Sequence, residues 1–123
     1  MRGLPWRICV STIVMMAGCG LFVAKETRYL MSAKNHATQT EVIEQLGKPI
    51  DSKVAATGNS IWVYHVRTLQ RGNYRTASGE WCDEYVLMFD KQGTLRDWTH
   101  HSYFHDGETV PTYCVPKELS GNP

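Results

Sequence analysis

The sequence predicts a single α+β domain in which two short helices are followed by a three-stranded antiparallel sheet. Two observations support this prediction. The spacing of apolar residues changes from that of a helix to that of a strand near Ser60, and residues 90–93 read as a hairpin turn between the last two strands. A length of 123 residues fits one globular domain, and a net charge of +1 gives no electrostatic reason to expect a nucleic-acid partner.

Residues 1–18 have the composition of a signal peptide. Arg2 and Arg7 precede an apolar run of about ten residues, which suits a signal sequence and is shorter than the ~20 residues that span a bilayer. The run ends in Met-Ala-Gly-Cys, which resembles the lipobox of bacterial lipoproteins, where the cysteine is acylated and becomes the mature N-terminus. We therefore expect lipid on Cys19, palmitate included. An ordinary cleaved signal or a short anchor is the alternative.

Residues 19–25 form a short tether between that lipid and the domain. Fully extended, such a tether reaches at most about 20 Å, so the domain is expected to lie close to its membrane. Gly20 follows the cysteine, whereas an aspartate there is the usual signal for retention in the inner membrane of enteric bacteria. The expected location is the outer membrane, with the domain on its periplasmic face.

Two helices are predicted at the start of a domain that spans residues 26–105. The first begins at Glu26 and ends near Asn35. Thr38 can cap the start of the second, and Glu41, three residues later, completes a capping box. Gly47 supplies the residue type that ends helices.

Three strands are predicted after these helices, at residues 60–68, 81–89 and 94–104. Each alternates side chains between two faces, with aromatic and aliphatic residues prominent. Residues 69–80 are rich in Arg, Gly, Asn, Thr and Ser and are predicted to form a long exposed loop. The tail at 106–123 has no regular periodicity.

Two cysteines remain once the leader and the acylated residue are set aside. Cys82 and Cys114 form either one disulfide or a pair of free thiols, and an oxidising periplasm favours the disulfide. Closing a loop of about 33 residues would stabilise the fold by roughly 3–4 kcal/mol and would fold the tail back along the sheet. The two are far apart in sequence and lack the spacing of a metal-binding pair, so no metal site is expected.

The histidine-rich stretch at residues 100–105 is the strongest candidate for chemistry. On a helix, His101 and His105 could share a zinc ion. Their aromatic and β-branched neighbours favour a strand instead, where they would lie ~13 Å apart. We therefore expect surface or edge-strand histidines, no catalytic residue and no cofactor.

A partner-binding surface is the expected site. Its candidates combine a basic and aromatic cluster in the predicted loop with two tryptophans outside the obvious core. A plain solvated hairpin connection is the favoured alternative for this loop. The tryptophans either form an exposed apolar patch or are buried under the tail. The candidates are Arg67, Arg71, Tyr74, Arg75, Trp81 and Trp98.

Three motifs occur in an order that resembles the SmpA/OmlA family of small outer-membrane lipoproteins, which includes the BamE subunit of the β-barrel assembly machinery. They are Glu-Val-Ile-Glu-Gln-Leu-Gly-Lys-Pro at 41–49, Ile-Trp-Val-Tyr at 61–64 and Tyr-Val-Leu-Met-Phe-Asp-Lys-Gln-Gly-Thr-Leu at 85–95. The resemblance covers about residues 38–100 and implies an ααβββ domain. The chain departs from the family at residues 35–37, where a glycine-containing turn is usual.

The resemblance also implies a function. It predicts a non-enzymatic interaction or scaffold protein that binds outer-membrane assembly components, with no small-molecule substrate. The alternative is a periplasmic inhibitor or ligand-binding module that uses the sheet face and the loop at 69–80. A fold does not by itself determine which of these applies.

Overall fold

The computed structural model describes residues 23–107 and 113–116. The predicted signal peptide, Cys19 and most of the tail lie outside these residues. The described elements, in chain order, are α1 Lys25–Ala33, α2 Gln39–Leu46, β1 Asp51–Val54, β2 Ser60–Gln70, β3 Gly79–Phe89 and β4 Leu95–Asp106.

The sheet has four strands, so the prediction of three was wrong in number. The strands are antiparallel and follow the order β1-β2-β3-β4. The additional strand β1 pairs with the start of β2, from Asp51 opposite Val63 to Val54 opposite Ser60. All four residues of β1 are exposed, so backbone pairing rather than side-chain burial holds the strand in place. Because no side chain of β1 is buried, its sequence does not need the alternation of apolar and polar residues by which a half-buried strand is recognised.

The hairpin between β2 and β3 is longer than predicted. The two strands pair as far as Gln70 opposite Gly79, which reduces the connecting loop to residues 71–78. Gly79 is buried where the Phe104 ring and the backbone carbonyl of His105 come close, and a side chain at this position would overlap both. Glycine is thus required there by close packing.

The link between the two helices is attached to the start of β4. Asn35 takes a left-handed conformation with φ of 67°, and its N–H donates to the carbonyl of Leu95 over 2.7 Å. The N–H of Leu95 in turn donates to the carbonyl of Ala37. Asparagine is one of the few residues that adopt this conformation routinely. It occupies the stretch where the SmpA/OmlA pattern has a glycine-containing turn.

The second helix begins and ends as its sequence predicts. The backbone N–H of Glu41 donates to the Thr38 hydroxyl over 3.3 Å, as an N-cap requires. Gly47 follows the last turn with φ of 81°. The hydroxyl of Tyr64 donates to the Gly47 carbonyl over 2.9 Å, which ties the helix end to β2. Burial raises the pKa of Tyr64 to about 12.

Both helices pack on one face of the sheet, which we call the helix face. The core there is formed by side chains from the helices, their connection and the three long strands. Its fully or nearly buried members are Leu30, Ala33, Ala37, Val42, Tyr64, Tyr85, Leu87, Phe89 and Leu95. Thr27 of α1 shares a hydrogen bond of 2.8 Å with the hydroxyl of Tyr85. This core covers only the part of the sheet up to Tyr64 and Tyr85, which we call the covered half.

We call the opposite face of the sheet the tail face. The described part of the tail packs on it, at the end of the sheet away from the helices. Cys82 is bonded to Cys114 with an S–S distance of 2.09 Å, which brings the described part of the tail against β3. The ring of His105 lies 2.9 Å, Nε2 to oxygen, from the Cys114 carbonyl. Glu80 is almost fully buried beside this contact and accepts a hydrogen bond of 3.3 Å from Arg67. We call the part of the sheet beyond Tyr64 and Tyr85 the far half.

Candidate functional site

On the helix face, the far half of the sheet is the part on which no described helix packs. Beyond the row formed by Tyr64 and Tyr85, β2 and β3 continue for six more paired residues, or about 20 Å. Side chains of all three long strands share this surface, which we call the aromatic face. It is defined by Val66, Trp81, Asp83, His100, Ser102 and Phe104.

Two aromatic rings form the apolar part of this surface. Trp81 and Phe104 are cross-strand partners with ring centroids 4.9 Å apart and planes tilted by 37°. Both side chains are half-buried. The indole N–H of Trp81 donates to the amide oxygen of Gln70 over 2.8 Å. The other end of that amide donates to the carbonyl of Ala77 over 2.7 Å, so one side chain links the tryptophan to the adjoining loop.

The loop at residues 71–78 has a defined internal turn. The side-chain oxygen of Asn73 accepts hydrogen bonds from the backbone N–H groups of Arg75 and Thr76, at 2.8 and 2.9 Å. Tyr74 is 90% exposed, and the guanidinium carbon of Arg75 lies 5.1 Å from the centre of its ring. The loop therefore presents an aromatic ring and a cation to solvent from a turn that is already formed.

The six predicted binding residues do not form one cluster. Trp81 lies at the base of the hairpin, and the exposed residues Arg71, Tyr74 and Arg75 are in the loop that follows Gln70. Arg67 instead contacts Glu80 on the tail face. Register explains this separation, because Arg67 is paired with Cys82 rather than with a residue of the aromatic face.

The two tryptophans are well separated. Trp98 packs against the core of the covered half, with its ring centroid 6.5 Å from that of Tyr85. It is six residues along β4 from Phe104, the partner of Trp81, which is about 20 Å. The described part of the tail lies over neither, because Cys114 is bonded to Cys82 on the other face. Within the described part of the chain, Trp81 and Trp98 therefore neither share one patch nor lie under the tail.

A polar cluster on the aromatic face was missed from the sequence. The Nε2 atom of His100 lies 2.8 Å from Oδ1 of Asp83 and 3.3 Å from the hydroxyl of Ser102, and this hydroxyl also donates to Asp83. The ring of His100 stacks on Tyr85 with centroids 4.3 Å apart. His100 and Ser102 are two residues apart and thus share a strand face, but only the register of β3 and β4 brings Asp83 to them.

This cluster does not have the arrangement of a hydrolytic triad. In a triad the carboxylate orients one ring nitrogen while the other nitrogen takes the proton of the serine. Here the carboxylate of Asp83 and the hydroxyl of Ser102 both contact Nε2 of His100. The three side chains can therefore offer hydrogen bonds to a bound partner, but they cannot relay a proton from serine through the ring to the carboxylate.

The two histidines that suggested a zinc site, His101 and His105, both lie on β4, whose extended backbone keeps them apart. His101 is exposed, whereas His105 is buried, with only 4% of its surface accessible, and makes an edge-on contact with the ring of Tyr113. His105 therefore lies on an edge strand, as expected, but it is not a surface residue. Its role in the described structure is to hold the tail through the Cys114 carbonyl.

A cleft lies between the first turn of α1 and the end of α2. Its volume is about 380 Å³, and its lining combines the charged residues Lys25, Glu26 and Lys48 with apolar side chains such as Leu46 and Ile50. Val66 also lines it, so the cleft adjoins the aromatic face. The two features together extend along the helix face from α2 towards the hairpin loop.

Comparisons of the chain with protein-family models, curated proteins and solved structures found no match. Within the described residues, neither α1 nor α2 is long and apolar enough to cross a membrane. The features that bear on function are thus the leader motif, the aromatic face, the hairpin loop and the cleft.

Proposed function

We propose that this chain is a non-enzymatic lipoprotein, anchored in the outer membrane by acylated Cys19, whose domain binds other proteins in the periplasm. Its role would be that of an interaction or scaffold subunit in the assembly of outer-membrane β-barrel proteins or in envelope integrity. The lipobox-like leader and the resemblance of residues 38–100 to the SmpA/OmlA family support this proposal. The observed α+β fold, with two helices on an antiparallel sheet, is compatible with it.

The aromatic face and the neighbouring loop are the single observation that carries a binding role. Tryptophan, tyrosine and arginine are the residue types that dominate binding energy at protein interfaces. Trp81, Tyr74 and Arg75 bring all three types to one end of the sheet. Gln70 holds Trp81 in place, and Asn73 preforms the turn. Less ordering is then required on binding, which favours affinity.

The polar cluster supports binding rather than catalysis. Asp83, His100 and Ser102 are partly exposed beside the aromatic rings, so they can exchange their mutual hydrogen bonds for bonds to a partner. Such polar groups around an apolar centre are typical of transient protein interfaces. We therefore place the partner on this face, with Trp81 and Phe104 at its centre.

A second proposal comes from the cleft. A cavity of about 380 Å³ that combines charged side chains of both signs with apolar ones fits a small ligand with polar and apolar parts. This observation favours the alternative function of a periplasmic ligand-binding module or inhibitor. The two proposals differ in the surface used, because Lys25 and Lys48 lie at the helices whereas Trp81 lies beyond them.

Crosslinking in cells followed by affinity purification tests the main proposal. We would compare the wild type with Trp81→Ala and with Tyr103→Ala, which removes a half-buried aromatic side chain from the tail face. If barrel-assembly components bind the aromatic face, Trp81→Ala should reduce their recovery at least tenfold, as for an interface hot spot, while Tyr103→Ala retains it. Thermal unfolding of both variants would establish that each is folded.

The outcomes separate the proposals. Recovery of no barrel-assembly component with the wild type would reject the assembly role. Recovery of a soluble enzyme as the sole partner would favour the inhibitor. A third variant, Cys19→Ala, tests the anchor. Loss of the assembly components relative to the wild type would show that tethering is needed for binding, and an unchanged partner set would show that it is dispensable.

A further inference from the structure

The imidazole of His65 lies beside the disulfide on the tail face. One ring nitrogen of His65 and the sulfur atoms of Cys82 and Cys114 all lie within 4.8 Å of one another. Both cysteines are buried, and His65 is half-buried. The three residues come from β2, β3 and the tail, so their positions in the sequence give no sign that they meet.

We propose that the reduced form of this chain binds one thiophilic metal ion, with Zn²⁺ as the reference ion, through His65, Cys82 and Cys114. The disulfide and the metal would be alternative ways of holding the same tail residue against β3. This inference does not depend on the proposed binding of assembly components, because it concerns the opposite face of the sheet.

The distances suit a tetrahedral zinc site. Zinc bonds of about 2.3 Å to sulfur and about 2.0 Å to nitrogen place the ligand atoms roughly 3.5–3.8 Å apart. His65 is therefore already within reach of both sulfurs, and small side-chain rotations are sufficient. The two sulfurs of the reduced residues must move to about 3.8 Å from each other, and their Cα atoms lie 5.4 Å apart.

The charges around the site also favour a metal. A divalent cation with two thiolates and a neutral imidazole carries no net charge, which limits the cost of burying it. Nε2 of His65 lies 3.0 Å from a carboxylate oxygen of Glu84. When Nε2 donates to that carboxylate, Nδ1 keeps its lone pair for the metal, as in the carboxylate–histidine–zinc arrangement common in proteins. A water molecule would complete the four ligands.

The step from disulfide to metal site balances with a phosphine as reductant. The phosphine and one water molecule convert the disulfide to two thiols and a phosphine oxide. Zinc then replaces the two thiol protons, which are released to solvent. Metal binding should thus release two protons per ion when both thiols are protonated, and it should be absent while the disulfide is intact.

Cobalt(II) is the probe for the first test, because four-coordinate cobalt thiolates have characteristic visible absorption. The protein is the full chain carrying Cys9→Ala and Cys19→Ala, so that only two thiols remain. It is reduced with a phosphine and freed of reductant without oxygen. We expect one cobalt per chain, with sulfur-to-cobalt charge transfer, displaced by one equivalent of Zn²⁺. The oxidised protein should show none of these bands.

His65→Ala, made in the same background, should weaken zinc binding at least tenfold. The matched control is His101→Ala, an exposed histidine on β4, which should leave the affinity unchanged. X-ray absorption of the zinc-loaded parent chain should show two sulfur ligands and one imidazole, a result that does not depend on how the variants fold. Absence of metal binding by the reduced parent chain, or a spectrum without imidazole, would overturn the proposal.

Discussion

The covered half and the far half of the sheet are stabilised in different ways. The covered half buries a continuous apolar core, in which Leu87, Phe89 and Leu95 have no exposed surface. The far half is held on its tail face by a disulfide and by two buried polar side chains, Glu80 and His105. The helix face of the far half does not bury a core, and its aromatic and polar side chains are at most half-buried.

This difference separates stability from binding within one sheet. Strands of 11 or 12 residues extend beyond the reach of helices of nine and eight residues. A covalent bond and paired polar groups stabilise the far end from one side, so the other side does not need a covering layer. Substitutions in the two halves should therefore differ in the size of the stability loss and in the part of the sheet that is affected.

The largest effect is expected for Phe89→Ala in the covered half. Phe89 is fully buried against Trp62, and its truncation should lower the free energy of unfolding by about 3–5 kcal/mol. Phe104→Ala, the matched change in the far half, removes a half-buried ring and should cost less than half as much. Chemical denaturation of the disulfide-bonded proteins measures both. Equal losses would contradict the division into a core half and a surface half.

Removal of the disulfide should have a comparable but more local effect. The double variant Cys82→Ser/Cys114→Ser should lose about 3–4 kcal/mol, because the unfolded chain is no longer constrained by a cross-link between residues 32 apart. Amides around Leu87, which exchange when the whole chain unfolds, should lose protection equal to this loss of stability, whereas amides around Glu80 and His105 should lose more because the tail is also released locally. A uniform loss across both halves would count against separate stabilisation.

The smallest effect is a loss of stability at alkaline pH, which is caused by Tyr64 in the covered half. The pKa of Tyr64 is about 12 in the folded state against 10.0 for an exposed tyrosine, so below pH 10 its contribution is fully present. Between pH 10 and 12 the unfolded chain loses this proton and the folded chain keeps it, so stability should fall by on the order of 2 kcal/mol. Denaturation at a series of alkaline pH values measures the slope.

Tyr64→Phe is the control for that slope. It should cost about 1 kcal/mol at neutral pH, because the hydrogen bond to the Gly47 carbonyl is lost, and it should flatten the alkaline slope. Burial also raises the pKa of Tyr85, so part of the slope should remain. A slope unchanged by Tyr64→Phe would mean that other groups cause the alkaline loss.

Elements with local signals were predictable. Thr38 and Gly47 mark the two ends of the second helix, and the structure has the N-cap hydrogen bond at Thr38 and a positive φ at Gly47. The side-chain alternation predicted for the three long strands is also present, with Tyr64 and Leu87 on the helix face. Strand ends were less predictable: Leu69 and Gln70 continue β2 because they pair with β3, although neither is buried.

The candidate sites depended on register and could not be predicted. The offset between β3 and β4 decides that Asp83 meets His100 and Ser102. In the same way, pairing of Arg67 with Cys82 removes that arginine from the predicted binding cluster. A shift of one residue would exchange the two faces, and no single strand carries the information that sets the offset.

For this protein, the sequence by itself determined the class of fold, the start and end of the second helix and the faces of the long strands, because short-range hydrogen bonding and periodic burial act within one segment. Only the tertiary structure decided the fourth strand, the separation of Trp81 from Trp98 and the meeting of His65 with the disulfide. These features arise from backbone pairing and packing between residues far apart in the chain, whose outcome depends on the whole sheet.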